Sequence, residues 1–308
     1  MTRVNEDFDS GCAWVDGAYI PIAEARIPLL DTGFSRSDCT YDVAAVWQGR
    51  FFRLDDHLDR LVRGCGLLRL PLPVTREQMR EVMVETVRRC GLRDAYVEII
   101  VTRGVPPQGE RDPRRVTPRI YAYAIPYVWV VGPEAQEAGA ADVVVARNTR
   151  RTPIGSVDPT VKNFQWGDLV RGLFEAYDRQ SSLAILTDGD GFVTEGAGFN
   201  VFAVVDQVLV TPERGVLQGI TRRTAIEIAQ ETEIPVRIGD VPAGDLYRAS
   251  EIFLTSTAGG VMAVSTLDGM VVGKGAAGPV TRLIRSRYWE LHTDPRFSFE
   301  VSYPEASA

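Results

Sequence analysis

The sequence predicts a two-domain α/β (α+β) protein with a small N-terminal domain and a larger C-terminal domain. The chain has 308 residues, more than a single hydrophobic core usually organises. Short apolar runs typical of strands alternate with amphipathic stretches typical of helices in both halves. Gly132-Pro133 interrupts this alternation near the middle of the chain. We therefore place the N-terminal domain at 1–130, a linker at 131–137 and the C-terminal domain at 138–308.

The N-terminal domain is predicted to contain two hairpins, two helices and two longer strands. Turn residues between β-prone runs mark the hairpins. A Thr75–Gln78 capping box opens the second helix, and Gly91 ends it. The predicted elements are hairpins over 12–22 and 40–54, helices over 55–68 and 75–90, and strands over 96–102 and 119–128. A polar, proline-broken loop at 105–115 separates the last two strands, and we expect it to be mobile.

The C-terminal domain is predicted to mix strands and helices along its whole length. Apolar runs bounded by turn residues indicate the strands, and longer amphipathic stretches indicate the helices. The predicted elements are strands over 142–146, 183–188, 192–196, 199–205, 208–212 and 251–257, and helices over 165–180, 221–232 and 278–289. This mixture is typical of an enzyme fold with a cleft.

The charge balance excludes a nucleic-acid-binding protein, and the chain contains only two lysines. The net charge is −7, with 34 basic and 41 acidic residues and a pI near 5.1, and no basic stripe of the kind that binds nucleic acid is present. Only Lys162 and Lys274 are lysines, so 34 − 2 = 32 of the basic residues are arginines. Chemistry that needs a primary amine therefore has two side chains to choose from.

The cysteines and the hydropathy pattern predict a cytoplasmic protein without a metal site. The four cysteines have no CxxC spacing, and only two histidines could supplement them, which argues against structural zinc and for reduced thiols. The N-terminus is acidic and polar, and the longest apolar stretch, 121–131, contains a proline and is too short to span a bilayer.

Lys162 is the stronger candidate for a nucleophilic amine. It lies between Val161 and Phe164 just ahead of a predicted helix. An apolar setting disfavours the ammonium form, and a neutral lysine amine can form an imine. The alternative is a solvated surface charge, although this chain uses arginine for nearly all of its cations. Lys274, in the glycine-rich turn VVGKGAAGP, is expected to be such a solvated residue.

Glu195 lies 33 residues after Lys162, within the stretch FVTEGAGFNVF. A half-buried carboxylate between β-branched and small residues needs a cationic or hydrogen-bonding partner. The pyridinium nitrogen of pyridoxal 5′-phosphate (PLP) is one such partner. A salt bridge to one of the many arginines is an equally good interpretation of this residue alone.

Two segments of the C-terminal half are suited to holding an anion. Gly219-Ile220-Thr221 immediately precedes a helix, so its backbone N–H groups and the helix dipole favour negative charge there. The run from Thr255 to Gly260 ends an apolar strand with three hydroxyls and two glycines. Each segment also has a structural interpretation, as a helix N-cap without ligand and as an ordinary strand-end turn.

In combination, these residues resemble the fold-type IV PLP enzymes. EGAGFNVF at 195–202, LVTP at 209–212 and LQGITR at 217–222 carry the resemblance, which extends over about 31–289. The family includes branched-chain and D-amino-acid aminotransferases, aminodeoxychorismate lyase and (R)-selective amine transaminases. The resemblance implies the D-amino-acid aminotransferase-like fold, with a barrel-like mixed sheet in the larger domain. It also implies a homodimer with active sites near the subunit interface.

Within this family the chain is most similar to the (R)-selective amine transaminases. This similarity lies in the stretches 37–61, 97–104, 161–179, 186–200 and 256–264. Branched-chain enzymes usually have an Asn-Tyr pair a few residues after the lysine, where this chain has Gln165-Trp166. The function implied is transfer of an amino group from a chiral aryl-alkyl amine to a keto acid such as pyruvate, through a Schiff base on Lys162.

The resemblance also implies residue roles. Lys162 is the Schiff-base lysine and proton carrier, and Glu195 is the partner of the pyridine nitrogen. The cofactor phosphate is assigned to Arg60, Ile220, Thr221 and Thr257, with Ser256 nearby. Gly219 is also assigned to the cofactor site. The substrate pocket is assigned to Arg36, Tyr41, Val43, Tyr96, Arg111, Trp166 and Ala258. Strand packing alone is the alternative for Val43 and Tyr96.

Two departures from the closest relatives concern the keto-acid acceptor. Those relatives commonly have an arginine about two positions before Arg111, where this chain has Gly109, and a histidine where it has Arg36. Other candidates for binding the acceptor carboxylate are Arg103, Arg114 and Arg115.

Three alternatives to an (R)-amine transaminase stay open at this point. The nearest is a D-amino-acid or branched-chain amino-acid aminotransferase, which differs in its donor. A PLP lyase such as aminodeoxychorismate lyase differs in reaction class. A protein that binds small anions with its hydroxyl-rich loops would have no Schiff-base chemistry.

Overall fold

The computed structural model describes residues 8, 10–137 and 141–304. The strands are β1 (Cys12–Val15), β2 (Ala18–Pro21), β3 (Cys39–Trp47), β4 (Arg50–Phe52), β5 (Ala95–Thr102), β6 (Arg119–Pro126), β7 (Ala141–Arg150), β8 (Leu183–Thr187), β9 (Val193–Gly196), β10 (Phe199–Val205), β11 (Val208–Pro212), β12 (Val236–Gly239), β13 (Glu251–Ser256), β14 (Gly260–Leu267), β15 (Met270–Val271) and β16 (Ser298–Glu300). The helices are α1 (Thr32–Arg36), α2 (Leu54–Leu67), α3 (Arg76–Cys90), α4 (Pro133–Glu137), α5 (Gly167–Asp178), α6 (Ile220–Glu231), α7 (Ala243–Leu246) and α8 (Pro279–Glu290).

The described residues form two compact units that are not simply successive halves of the chain. The first unit contains the chain up to Val128, the short segment Val161–Phe164 and the chain from His292 onward, and the second contains the rest. The boundaries 1–130 and 138–308 do not anticipate the two returning segments. Both return through long-range pairing, since β16 pairs with β4 and the Lys162 carbonyl accepts a hydrogen bond from the Tyr41 amide. The local pattern of apolar and polar residues does not indicate pairing between segments so far apart in the chain.

The first unit is a twisted antiparallel sheet covered by helices on one face. Its described strands follow the order β16-β4-β3-β5-β6-β1-β2. Alternate residues of β3, β5 and β6 point toward α2 and α3 and form one core with them, because successive side chains of a strand face opposite sides. The residues of β3, β5 and β6 in this core are Ala44, Val46, Ala95, Val97, Ile99, Val101, Ile120, Ala122 and Ala124. The opposite face of the same strands carries aromatic and apolar side chains, such as Tyr41, Val43 and Tyr96, around the single acid Glu98.

The second unit contains a closed barrel, as the fold-type IV resemblance implies. Within residues 141–304 the strands β10, β13, β14, β7, β8 and β9 pair in that order, and β9 pairs back with β10. The pairs β14–β7 and β7–β8 are parallel, and the others in the ring are antiparallel. Valine, leucine and isoleucine side chains fill the interior. Closure leaves this ring without an exposed edge.

Helix ends follow the local chemistry of the sequence. The Thr75 hydroxyl accepts from the Gln78 amide at 3.2 Å, and the Gln78 side chain accepts from the Thr75 amide at 2.8 Å, so the predicted capping box opens α3. Gly91 ends the helix with a φ of 66°, a conformation that glycine adopts at little cost. In the part of the chain that the structure describes, no helix is long and apolar enough to cross a membrane.

Candidate active site

Lys162 is held against the edge of the first sheet by its own backbone. Its carbonyl oxygen accepts hydrogen bonds from the Thr40 hydroxyl at 2.8 Å and from the Tyr41 amide at 3.1 Å. The half-buried side chain places Nζ 4.5 Å from the centre of the Tyr41 ring. Phe164 stacks on the same ring at a centroid distance of 4.3 Å. The lysine predicted to be nucleophilic is therefore tied to the sheet by its backbone, and its amine lies over an aromatic ring.

The sheet face beside Lys162 carries a buried acid among aromatic rings. Val43, Glu98 and Tyr123 are direct cross-strand neighbours, so their side chains share that face. The Glu98 carboxylate is 5% exposed and accepts a hydrogen bond from the Tyr96 hydroxyl at 3.0 Å. Burial raises the pKa of Glu98, opposed by a hydrogen bond from Tyr123 and by the charge of Lys162. The net effect is a raised pKa for an acid that lies on the same sheet face as the lysine amine.

Arg60 is buried on the helix-covered side of the same sheet, in a cluster with Asp42 and His57. Its Nε and Nη2 atoms each donate to Asp42, both at 2.8 Å. His57 Nδ1 lies 2.7 Å from Asp42 Oδ1, and the Val43 amide donates to the same oxygen at 2.7 Å. Burial alone would raise the pKa of Asp42, but Arg60 and His57 lower it overall. Asp42 is therefore a carboxylate held by four donors.

In the second unit, Glu195 forms a buried ion-pair network with an arginine that the sequence analysis did not single out. Arg151 donates to Glu195 Oε1 from Nε at 3.2 Å and from Nη2 at 3.0 Å. Its Nη1 donates to Asp168 at 2.6 Å. Burial would raise the pKa of Asp168, but the Thr152 amide and Arg151 hold it below its usual value. The salt-bridge interpretation of Glu195 is thus realised, and it fixes the orientation of the carboxylate.

The other oxygen of Glu195 connects to the segment before α6. Glu195 Oε2 accepts from the Leu217 amide at 2.8 Å and from Asn200 Nδ2 at 3.3 Å. Asn200 Nδ2 also donates to the Leu217 carbonyl at 3.0 Å. Gly219 is the N-cap of the 12-residue helix α6 and has no side chain to cap it. The carboxylate and the amide-rich start of α6 are therefore parts of one arrangement.

Gly219 packs closely against Asn200, and Thr255 has unused hydrogen-bonding capacity. A Cβ on Gly219 would lie 2.2 Å from Asn200 Oδ1, so the Asn200 side chain would have to shift to admit one. Glu195, Asn200 and Thr255 are successive cross-strand neighbours on one face of β9, β10 and β13. Among the described residues, the buried Thr255 hydroxyl has no hydrogen-bond partner. Next to it, the Ser256 hydroxyl accepts from the Ala258 amide at 3.1 Å.

The predicted site residues divide between the units. The first unit holds Arg36, Tyr41, Val43, Arg60, Tyr96, Arg111 and Lys162. The second unit holds Trp166, Glu195, Gly219, Ile220, Thr221, Ser256, Thr257 and Ala258. Tyr41 contacts Lys162, and Val43 lies on the same sheet face. Glu195 and Gly219 are linked through Asn200, whereas Arg36 is exposed at the end of α1.

The arginines of the 103–115 segment differ in whether they form ion pairs. Arg103 donates to Asp38 from Nε at 2.6 Å and from Nη2 at 3.0 Å. Arg114 pairs with Asp112 at 2.6 Å, and Arg115 lies 3.6 Å from Glu110. Ion pairing therefore occupies three of the four candidates for an acceptor carboxylate, and Arg111 is the exposed fourth.

Several residues of these arrangements were missed from the sequence. A signal exists for Asp42 and Glu98, since each is the one acid in an otherwise apolar or neutral strand, TYDVAAVW or AYVEIIVT. Arg151 has no local signal, because its Glu195 partner is 44 residues away. Among the described residues, no group of three or more His, Cys, Asp or Glu side chains could hold a metal ion.

A half-buried lysine amine, an oriented carboxylate and a helix start suited to an anion are together typical of a PLP enzyme. The chain belongs to the amino-transferase class IV family, whose model matches residues 40–267. Class IV aminotransferases depend on PLP, and this chain is accordingly a PLP-dependent transaminase.

Relatives and solved structures match the chain over nearly its full length. A putative branched-chain-amino-acid aminotransferase of Methanocaldococcus jannaschii is 33% identical over 283 residues, 91% of this chain and 96% of that protein. The branched-chain-amino-acid aminotransferase of Salmonella typhimurium is 28% identical and covers 95% of each chain. A branched-chain amino acid aminotransferase of T.th. solved with pyridoxamine 5′-phosphate superposes with a TM-score of 0.87 at 28% identity, covering 95% of this chain and 99% of that one.

The residues present fit the cofactor. No side chain caps the start of the 12-residue helix α6, so its amide groups and dipole favour an anion there. The unpartnered Thr255 hydroxyl lies in the same cross-strand row as Glu195. The fold-type IV interpretation of the sequence is therefore confirmed at the level of family, fold, cofactor and reaction class.

Proposed function

We propose that this aminotransferase takes branched-chain amino acids as donors and a keto acid as acceptor. The observation that carries this proposal is the 33% identity, over 96% of its length, to a putative branched-chain-amino-acid aminotransferase. The apolar and aromatic face formed by Tyr41, Val43 and Tyr96 suits an aliphatic side chain. This was the alternative in the sequence analysis, and the comparisons support it better than the (R)-amine interpretation.

A second candidate is transfer from an (R)-configured aryl-alkyl amine to pyruvate. The buried Glu98 favours it, because Glu98 in its ionised form beside Lys162 opposes the α-carboxylate of an amino acid but not a donor that lacks one. The Gln165-Trp166 pair is a further difference from the usual branched-chain pattern. The two candidates differ only in the donor.

In either case we assign the chemical roles as follows. PLP, when bound, supplies a ring that accepts the electron pair left after removal of the donor's α-proton. Lys162 Nζ carries the cofactor and moves that proton. Glu195, oriented by Arg151, accepts a hydrogen bond from the pyridine N–H and keeps it protonated.

We assign the phosphate to Arg60, the Ile220 and Thr221 amides at the start of α6, and the hydroxyls of Ser256 and Thr257. The free end of a 12-residue helix favours an anion through its N–H groups and dipole. We assign Arg111 to the acceptor carboxylate, because the other arginines of its loop are ion-paired.

We also infer a cytoplasmic homodimer. In the first unit Ile27, Leu29, Leu30 and Phe34 are 48%, 76%, 71% and 61% exposed, and a cluster of this kind is typical of an interface with a second copy. We assign Arg36, which ends α1 directly after it, to the substrate end of the partner's site. The four cysteines are free thiols, which supports a reducing compartment.

Single-turnover conversion of the bound cofactor separates the donors without involving the acceptor. Purified holoenzyme is mixed with L-leucine, D-alanine, (R)-1-phenylethylamine or the (S) enantiomer, and loss of the PLP absorbance is followed. We expect L-leucine to react fastest. Reaction with the (R)-amine and not with L-leucine would establish the second candidate, and reaction with D-alanine alone would contradict both.

Glu98→Gln tests the basis of the second candidate. If Glu98 opposes a donor carboxylate, the variant should gain rate with L-leucine relative to the (R)-amine. Glu77→Gln, at an exposed position on α3, is the matched control and should change neither rate. An unchanged ratio in Glu98→Gln would remove the argument for the (R)-amine.

A further inference from the structure

Three charged or polar side chains are buried together between β3 and α2, away from the sheet face that carries Lys162. Asp42, His57 and Arg60 are 1%, 2% and 8% exposed. The Arg60 guanidinium presents Nε and Nη2 to the two oxygens of Asp42. Asp42 Oδ1 is also within hydrogen-bond distance of His57 Nδ1 and accepts a hydrogen bond from the Val43 amide.

Stability alone is a poor explanation for this cluster. Removing two charges from water is costly, and a buried ion pair is often no more stabilising than apolar side chains of similar volume. The surrounding core of the first unit is made of such apolar side chains. A buried ion pair within it is better explained by the geometry that it imposes on Arg60.

That geometry is restrictive because a guanidinium is planar and Asp42 engages one of its edges. Two parallel N–H to oxygen bonds of 2.8 Å fix both the position and the plane of the group. The remaining N–H bonds are directed away from Asp42. Burial lowers the pKa of His57, so the neutral ring donates Nδ1–H to Asp42 and holds the carboxylate in turn.

We propose that Asp42 and His57 are positioning residues that fix the Arg60 guanidinium in the orientation in which it binds the phosphate of PLP. This inference rests on the role of Arg60 assigned under the proposed function. Asp42 acts directly on Arg60, and His57 acts through Asp42. Neither residue contacts the reacting atoms in this account.

The test compares PLP with pyridoxal, which lacks the phosphate. Holoenzyme is stripped of its cofactor, and the dissociation constants of both compounds are measured by titration. Asp42→Asn turns an amide N–H toward Arg60 and should weaken PLP binding roughly 10- to 100-fold, the range that loss of an orienting partner costs in metal sites. Pyridoxal binding should change by less than about threefold, under 1 kcal/mol. Equal losses for both compounds, or no loss for either, would overturn the proposal.

The His57 variants provide a milder test in case Asp42→Asn does not fold. His57→Asn can keep a donor where Nδ1 lies and should retain the wild-type ratio of PLP to pyridoxal affinity, whereas His57→Leu should lower it. Equal ratios in these two variants would contradict the role of His57.

Arg60→Met separates this inference from the role on which it rests. If Arg60→Met leaves the ratio of PLP to pyridoxal affinity unchanged, Arg60 does not bind the phosphate and the assigned role itself is wrong. If Arg60→Met lowers the ratio while Asp42→Asn and His57→Leu do not, only the positioning inference fails. In the double variant Asp42→Asn/Arg60→Met, the loss should not exceed that of Arg60→Met alone.

Discussion

The two lysines of the chain differ in every respect that bears on nucleophilic chemistry. Lys162 is half-buried, and its backbone is tied to Thr40 and Tyr41. Lys274 is exposed in a turn after β15. The scarcity of lysine among 34 basic residues therefore leaves one amine suited to carrying the cofactor.

Lys162→Ala should abolish cofactor conversion by any donor while leaving the fold intact. In the proposed mechanism the side chain supplies the nucleophilic nitrogen and the proton carrier, whereas the backbone hydrogen bonds of Lys162 do not depend on it. The change in PLP absorbance after mixing with a donor measures cofactor conversion, and circular dichroism shows whether the fold is intact. Lys274→Ala is the control and should keep wild-type turnover; near-normal turnover in Lys162→Ala would contradict the assignment.

Glu98 should lower the stability of the protein at neutral pH. Its pKa is raised by burial, so the folded state binds the proton more tightly than the unfolded chain, whose glutamate pKa is about 4.3. The stability contributed by protonation is complete below that value and is lost as the pH rises through the raised pKa.

Glu98→Gln should therefore raise the free energy of unfolding at pH 8 and leave it nearly unchanged at pH 4. The glutamine oxygen can still accept the hydrogen bond from Tyr96. Urea unfolding at both pH values measures the effect, with Glu81→Gln, at an exposed position in the middle of α3, as the control. A loss of stability at pH 8 would show that the charged form of Glu98 is the stabilised one.

At the scale of elements, the start of α6 depends on a glycine. Gly219→Ala would place a Cβ 2.2 Å from Asn200 Oδ1 and displace the amide that donates to Glu195. We expect a loss of PLP affinity together with about 1–3 kcal/mol of stability, the usual cost of overpacking.

Cofactor titration and urea unfolding measure the two effects of Gly219→Ala. Gly244→Ala in α7 is the matched control, because nothing lies within 4 Å of the added Cβ. Wild-type affinity in Gly219→Ala would mean that this helix start does not hold the phosphate.

Elements defined by local chemistry could be predicted from the sequence, and those defined by pairing could not. The capping box and Gly91 gave α3 nearly residue for residue. β14 was missed as a strand because it opens with Gly260 and is buried on both faces through most of its length, so that it shows no alternation. The barrel was expected from resemblance alone, because its closing pair, β9 with β10, has no signature in local periodicity.

The same distinction holds for the candidate site. Lys162, Glu195 and the 219–221 segment lie in recognisable motifs, so their residue types and order could be identified. Arg151 could not, since nothing near it in the chain indicates that it pairs with Glu195. Side chains that orient other side chains are selected by three-dimensional contact, which one sequence does not display.

At the scale of the whole molecule, each unit carries a different part of the chemistry. The first unit holds the amine of Lys162 and the buried Arg60 cluster. The second holds the oriented Glu195 carboxylate and the start of α6. Membership of the class IV family shows that the protein uses PLP, and the proposed function assigns roles toward it to residues of each unit.

The central claim is that Lys162 carries PLP, and covalent trapping tests it most directly. Purified holoenzyme is reduced with borohydride and digested, and the phosphopyridoxyl label is located by mass spectrometry. Our account predicts loss of the yellow colour and a label on the peptide that contains Lys162. A label on Lys274, or a colourless protein that takes up no label after incubation with PLP, would contradict it.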